Sequence, residues 1–222
     1  MDSHARASIN LDVIAANVAA VLATSLPVLV DADGLTLLAR HKDLLPRAAP
    51  TLLTPHAGEL GRLLGKDPAD VEARRLEHAR LAATEFGACV LLKGSTTVVA
   101  APDGLHPVFV NTTGTPWLAT AGSGDVLSGL AGALLAQGLL PRQAGIAAAY
   151  LHGLAGRLAA AGPEARGRGG YGGAGSPPVL GGGAPIGASD LVRAVQAAFR
   201  AVVAEGLYIG SHGKPCAGQH RP

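Results

Sequence analysis

Three short segments hold the residues whose types and spacing could do chemistry. The first is Asn111–Gly129, NTTGTPWLATAGSGDVLSG, in which Thr120, Ala121, Gly122, Ser123 and Gly124 run directly into a long apolar helix opening at Asp125. Small side chains let a backbone approach an anion closely, and a helix N-terminus adds unpaired N–H donors and the positive end of a dipole. Gly122, Ser123 and Gly124 are therefore read as an anion cradle suited to phosphate. The pattern is neither a Walker A loop nor a dinucleotide fingerprint. Taken alone, it also reads as a tight turn with Asp125 as its cap. A carboxylate beside a bound phosphate can accept the proton of a hydroxyl that attacks it. A phosphate cradle and a general base are what phosphoryl transfer to an alcohol requires.

The second segment is Thr54–Glu59, TPHAGE, where His56 follows a strand end and can point into a cleft. The third is Lys93–Thr97, KGSTT, at another strand end. There Lys93 could meet a phosphate, and the backbone of Gly94, Ser95, Thr96 and Thr97 could line a nucleotide pocket. Each also has a plainer reading, as a satisfied loop histidine and as a surface turn. The remaining histidines, His152 inside a helix among them, read as structural.

The elements that must position these segments alternate between helix and strand patterns. Residues 11–24 carry Leu11, Ile14, Val18 and Val21 at helical spacing, with Asn10 as a plausible cap. Leu26–Val30, Thr51–Thr54 and Cys89–Lys93 are short apolar runs, the mark of strands buried on both faces. Between them, Gly58–Leu64 and residues 69–86 read as helices that end at Gly65 and Gly87. Thr96–Ala101 and Leu105–Val110, joined at Asp103-Gly104, read as a β-hairpin. Helices follow over 125–138, 142–161 and 190–204. Residues 162–187 read as a Gly/Pro/Ser-rich insert, and 205–222 as a disordered tail. Such alternation implies an α/β fold with a mostly parallel sheet and helices on both faces. Ligands of such sheets bind beyond the carboxyl ends of the strands, where Asp31, Thr54 and Lys93 fall.

The 222 residues suit one domain. Eighteen Lys+Arg against sixteen Asp+Glu give no electrostatic reason for a nucleic-acid partner. Aromatic residues make up only 3%, so the core must be built from Ala, Val and Leu. Mean hydropathy is +0.30, yet neither Leu127–Leu140 nor Gly145–Ala161 offers the ~20 uninterrupted apolar residues of a membrane span. The polar start MDSHARASIN lacks the apolar segment of a signal peptide, so the expected compartment is the cytoplasm. Two cysteines, Cys89 and Cys216, make neither a disulfide framework nor a metal cluster.

Taken in order, the segments PVLVDADGL (27–35), LLTPHAGELGRLLG (52–65), VLLKGSTTVVAAPDG (90–104), NTTGTPWLATAGSGDVLSGLAGALLAQGL (111–139) and AAAYLHGLAGRLAA (147–160) resemble the ADP- or ATP-dependent NAD(P)H-hydrate dehydratases of the ribokinase-like superfamily. The resemblance implies a ribokinase-like three-layer α/β/α domain over residues 1–204. It implies dehydration of (6S)-hydrated NADH or NADPH at the expense of ADP, giving AMP, phosphate and the repaired cofactor. Phosphorylation turns the ring hydroxyl into a good leaving group, and elimination restores the ring. Fourteen arginines against four lysines and an alanine-rich chain read as bacterial, which favours ADP over ATP. Asp125 matches the family's catalytic base, which also contacts the hydrated nicotinamide. His56 matches the histidine that binds that substrate. Lys93, Gly94, Ser95, Thr96 and Thr97 match the adenine-nucleotide segment, with Gly124 beside the phosphates. Mg2+ bridging phosphate oxygens is implied without a named ligand, and so is a homo-oligomer, the family often forming tetramers.

The chain departs from the family pattern at Ala57, Ser123 and Thr96, where proline, threonine and glycine are usual. Only 26 residues precede PVLVDADGL, and the resemblance implies a domain lacking its N-terminal strands. Two other readings stay open. One is a small-molecule kinase of the same superfamily, such as a hydroxyethylthiazole kinase. The other is a truncated, non-catalytic nucleotide-binding remnant.

Overall fold

The computed structural model describes residues 15–162 and 183–211. Asn10, most of the 162–187 insert and residues 212–222 lie outside them. Residues 15–22 form helix α1. There follow β1 (Val28–Val30), α2 (Ala32–Leu38), β2 (Thr51–Leu53), α3 (Ala57–Leu64), α4 (Pro68–Ala73), α5 (Arg75–Phe86), β3 (Cys89–Leu92), β4 (Thr97–Ala100), β5 (Phe109–Asn111), α6 (Ser123–Ala136), α7 (Pro141–Ala160) and α8 (Ala188–Ser211). Gly65 and Gly87 end α3 and α5 in the left-handed conformation, at φ 66° and 57°, which costs glycine nothing.

The five strands lie in chain order, β1 to β3 parallel and β3 to β5 antiparallel. Alternate side chains of a strand face opposite sides, so each short apolar run serves two cores. Val28, Val30, Leu53, Val90, Leu92, Val98 and Ala100 pack on one side under α2 to α5. Leu52, Cys89, Leu91 and Val99 pack on the other, under α6 and α7. The register sets Leu29 beside Leu52 and Leu52 beside Cys89, which keeps each face continuous across the parallel strands. Helix α8 turns Leu191, Ala194 and Ala198 onto this second layer, the i, i+3, i+7 stripe of an amphipathic helix. The arrangement is the expected three-layer α/β/α sandwich, with the β4–β5 hairpin closing one side of the sheet. Among the described residues, no helix is long and apolar enough to cross a membrane. Cys89 is the buried small hydrophobe that its surroundings suggested, and burial pushes its thiol up to about 12.

The structure departs from the expected elements in three places. The second hairpin strand, expected over Leu105–Val110, is only Phe109–Asn111. The single helix expected over 69–86 is two helices, because Arg74 leaves helical geometry at φ −130°, ψ 49°. Nothing in VEARRLEH signals that break, since it holds neither Gly nor Pro. The last helix begins at Ala188 and runs on to Ser211, past the boundary at residue 204.

With few aromatics to space the layers, backbones come close. A Cβ on Gly153 of α7 would lie 2.1 Å from Thr113 Oγ1 and 2.7 Å from its carbonyl carbon. Alanine usually stabilises a helix interior by ~1 kcal/mol over glycine. Here Gly153→Ala is expected to destabilise by about 1–3 kcal/mol, the usual cost of overpacking. Urea unfolding measures it, and a more stable variant would refute this account of the contact.

Candidate active site at the strand ends

Parallel β1, β2 and β3 deliver Asp31, Thr54–His56 and Lys93 to one end of the sheet. A bridge between His56 and Lys93 continues the β2–β3 pairing, and the Lys93 N–H donates to the Pro55 carbonyl at 2.7 Å. The Lys93 ammonium donates to Asp31 Oδ1 at 2.6 Å and stands 3.7 Å from Glu59 Oε2. Ser128 Oγ–H donates to the other Asp31 oxygen at 2.5 Å. Burial acts to raise the Asp31 carboxyl, but the Lys93 ammonium, the Ser128 hydroxyl and the Ala32 N–H together outweigh it. The group sits below its ordinary value of 3.8.

His56 has a structural task beside any functional one. Its Nδ1 accepts from the N–H groups of Gly58 (3.0 Å) and Glu59 (3.2 Å), and Glu59 Oε2 accepts from the His56 N–H at 2.7 Å. This is a reciprocal cap on α3. With Nδ1 accepting, the neutral ring carries its proton on Nε2, which lies 3.4 Å from Glu59 Oε1. The ring remains half exposed and lines the cavity described below.

At the start of α6, Gly122 takes φ 81° and turns the chain into the helix. Ser123 is buried, and its hydroxyl donates to the Leu118 carbonyl at 2.7 Å, so it is not free for a ligand. The Ser123 carbonyl accepts from His152 Nε2–H at 2.9 Å. Burial lowers the His152 pKa, with this hydrogen bond opposing, so the ring is a neutral donor. The Val126 N–H bonds Gly122, whereas the N–H groups of Gly124 and Asp125 have no partner among the described residues. A Cβ on Gly124 would stand 3.8 Å from Lys93 Nζ. Two free N–H groups, a dipole end and an ammonium thus converge, and together they favour an anion. An anion at this point would meet backbone N–H groups and Lys93, since the Ser123 hydroxyl is taken up by Leu118.

A cavity of about 760 Å³ opens beside this point. The loop 93–97 forms one wall and the segment 111–119 another. Ser123, Gly124 and Leu127 of α6 and Ala149, His152, Gly153 and Arg157 of α7 complete it. Asn111 Nδ2 donates to the Ala149 carbonyl at 3.0 Å, and Arg157 donates to Thr112 O at 2.8 Å, so the second wall is strapped to α7. His56, Lys93, Gly94, Ser95, Thr96, Thr97, Ser123 and Gly124 all line this one cavity.

Gly122 and Asp125 do not line it. Asp125 is exposed, and its carboxylate makes no hydrogen bond among the described residues. Successive helical residues are ~100° apart, so turning 124 and 127 into the cavity leaves 125 on the flank. It shares that flank with Ser128, three residues on, whose hydroxyl reaches Asp31. The general base expected from the sequence therefore stands on the flank of α6, outside the cavity lined by the 93–97 loop.

Asp31, Glu59, His152 and Arg157 received no role from the sequence. Asp31 directly follows β1, and Glu59 sits in the first turn of α3. Nothing local marked Arg157, whose acceptors lie 43 to 45 residues away. Among the described residues, no group of three His, Cys, Asp or Glu side chains could hold a metal ion.

A family model described as NAD(P)H-hydrate dehydratase matches residues 11–167. The bifunctional NAD(P)H-hydrate repair enzyme Nnr of Mycobacterium leprae is 55% identical over 143 residues, covering 64% of this chain and 29% of that protein. The ADP-dependent (S)-NAD(P)H-hydrate dehydratase of Neisseria meningitidis is 47% identical over 135 residues, 60% of this chain and 45% of that one. Among solved structures, the ADP/ATP-dependent NAD(P)H-hydrate dehydratase of Bacillus subtilis, co-crystallised with ATP/Mg2+ and soaked with CoA, superposes with a TM-score of 0.61. It is 28% identical, with 82% of this chain and 58% of that chain covered. This chain thus spans less than half the length of either relative matched by sequence. The strand-end cluster, the α6 cradle and these matches lead to one conclusion: the chain belongs to the NAD(P)H-hydrate dehydratase family.

Proposed function

We propose that this chain carries the nucleotide-binding and phosphoryl-transfer machinery for the ADP-dependent dehydration of (S)-NAD(P)H-hydrate. The observation that carries the reading is the convergence of Lys93 and the free N–H groups of Gly124 and Asp125 at the mouth of the cavity lined by residues 93–97. In this reading the adenosine lies between the 93–97 loop and the 111–119 segment. Its terminal phosphoryl group meets the cradle. Asp125 takes the proton of the ring hydroxyl as that oxygen bonds to phosphorus and the bond to the AMP oxygen breaks. The phosphorylated hydrate then loses phosphate with the C–O electron pair, a proton leaves the neighbouring ring carbon to water, and that C–H pair becomes the restored double bond. His56, at the cavity rim, orients the hydrated ring.

The donor set fits a Mg2+ ion held mainly by phosphate oxygens. Asp31 and Glu59, 2.6 and 3.7 Å from the Lys93 ammonium, are carboxylates that would help to hold the ion. Such an ion would neutralise charge on the phosphoryl oxygens.

The test is incubation of the chain with hydrated NADH, ADP and Mg2+. The expected result is reduced cofactor, AMP and phosphate formed in equal amounts. Phosphorylation of hydroxyethylthiazole without any NADH formation would replace this reading by the kinase one. A second reading, nucleotide binding without turnover, is favoured by the position of Asp125 outside the cavity. Calorimetry showing ADP binding alongside zero turnover would select it.

His56→Ala separates two roles. Loss of the α3 cap is expected to cost ~1 kcal/mol of stability. The KM for the hydrate should rise more than the KM for ADP; an equal rise in both would remove His56 from substrate binding.

A further inference from the structure

Arg75 opens α5, on the far side of the 93–97 loop from the cavity. Its guanidinium is largely buried, with 13% of the side chain exposed. The two N–H groups of one nitrogen, Nη2, are shared among three carbonyls, Leu92 at 3.0 Å, Lys93 at 2.9 Å and Thr96 at 3.0 Å. The other, Nη1, donates to Glu72 at 2.6 Å. Gly94 packs flat against it: a Cβ there would fall 2.5–2.7 Å from the guanidinium atoms. A buried charge is thus committed to the carbonyls of one loop.

The direction of those carbonyls has a consequence on the other side. In a trans peptide the C=O and the next N–H point opposite ways. With the Lys93 carbonyl held on Arg75, the Gly94 N–H points away from it. That N–H has no partner among the described residues, and Gly94 lines the cavity. A backbone donor is therefore aimed at whatever the cavity holds, and its direction is set from behind.

We infer that Arg75 is a positioning residue for the nucleotide: by taking up the carbonyls of Leu92, Lys93 and Thr96 it fixes the 93–97 loop with the Gly94 N–H turned to the ligand. The inference rests on the reading of this cavity as an ADP site. Arg75 does not itself touch the nucleotide. Its effect is a lower entropy cost of binding, because the loop is already in the bound shape.

The test is ADP binding by calorimetry to the wild type and to Arg75→Gln, Arg75→Lys and Gly94→Ala, with thermal unfolding of each. Arg75→Gln is expected to weaken ADP binding about tenfold, the equivalent of one well-made interaction. Where turnover is measured, KM for ADP should rise while kcat and the KM for the hydrate hold. Arg75→Lys should recover part of the loss, since an ammonium keeps the charge but not the planar fork. Gly94→Ala tests the same contact with Arg75 intact and should weaken ADP in the same way. Wild-type ADP affinity in folded Arg75→Gln and Gly94→Ala, with only a lower Tm, would overturn the inference. So would an equal rise in both KM values. A wild type that binds ADP without dehydrating the hydrate would sink the proposed function and leave the Arg75 comparison readable. A wild type that binds no ADP would overturn both.

Discussion

Asp125→Ala is expected to lower turnover of the hydrate by about a thousandfold, the middle of the range for losing a general base. ADP affinity should stay within about twofold, because the cradle offers backbone N–H groups that any residue at 125 retains. The variant is a clean probe. Asp125 is exposed and its carboxylate makes no hydrogen bond among the described residues, and such surface substitutions change stability by less than about 0.5 kcal/mol. A fall in rate would then be read as lost chemistry and not as lost fold. Asp125→Asn should match Ala, since the amide keeps the shape but accepts no proton. The competing result is equally definite. Its carboxylate lies on the flank of α6 near Gly122, outside the cavity lined by the 93–97 loop. If it never meets the hydroxyl, Asp125→Ala will turn over like the wild type, and the base must be sought among Asp31, Glu59 and His56.

What the sequence made legible follows from the range over which each signal acts. The apolar runs at 26–30, 51–54 and 89–93 mark buried strands, found at 28–30, 51–53 and 89–92, and their order predicts the parallel part of the sheet. The glycines at 65 and 87 marked helix ends because a left-handed residue is a local demand. The strand-end rule placed His56 and Lys93 correctly, since three parallel strands can only deliver their C-termini to one edge. Long-range features were not legible. The Lys93–Asp31 pair spans 62 residues and the Ser128–Asp31 bond 97. The strap from Arg157 needs α7 and the 112–114 backbone to be docked before it means anything. Nor did GSGD reveal that its serine hydroxyl would turn inward to Leu118 and leave the backbone to meet the anion. The break at Arg74 lay between residues of good helix propensity. Local sequence therefore set the elements and the edge where chemistry sits. Which polar atoms remain free there depended on tertiary pairing.

Lys93→Met is expected to weaken ADP binding roughly a hundredfold, as loss of charge-assisted hydrogen bonds of about 3 kcal/mol implies. The same change should also destabilise the fold. Lys93, Asp31 and Glu59 have side chains only 18%, 13% and 8% exposed. Removing the shared cation leaves two carboxylates facing each other with little water, and breaking such a buried arrangement costs about 3 kcal/mol. The sign of the pH dependence separates this from a packing defect. The wild-type Asp31 carboxyl is held below its ordinary 3.8, so its contribution is complete above that value and is lost as pH falls through the lower, folded one. In Lys93→Met the lowering contacts with the ammonium are gone while burial remains, so protonating the carboxyl relieves the variant. The stability gap, measured by denaturant unfolding, should therefore be widest near neutrality and narrow as pH falls towards 3.8 and through it. A double variant, Lys93→Met with Asp31→Asn, should recover much of the stability, since removing both partners is far less costly than orphaning one. It should not recover ADP binding, because the phosphoryl group still lacks its cation. Restored affinity in the double variant, or wild-type affinity in Lys93→Met, would show that Lys93 serves only to hold the strand ends together.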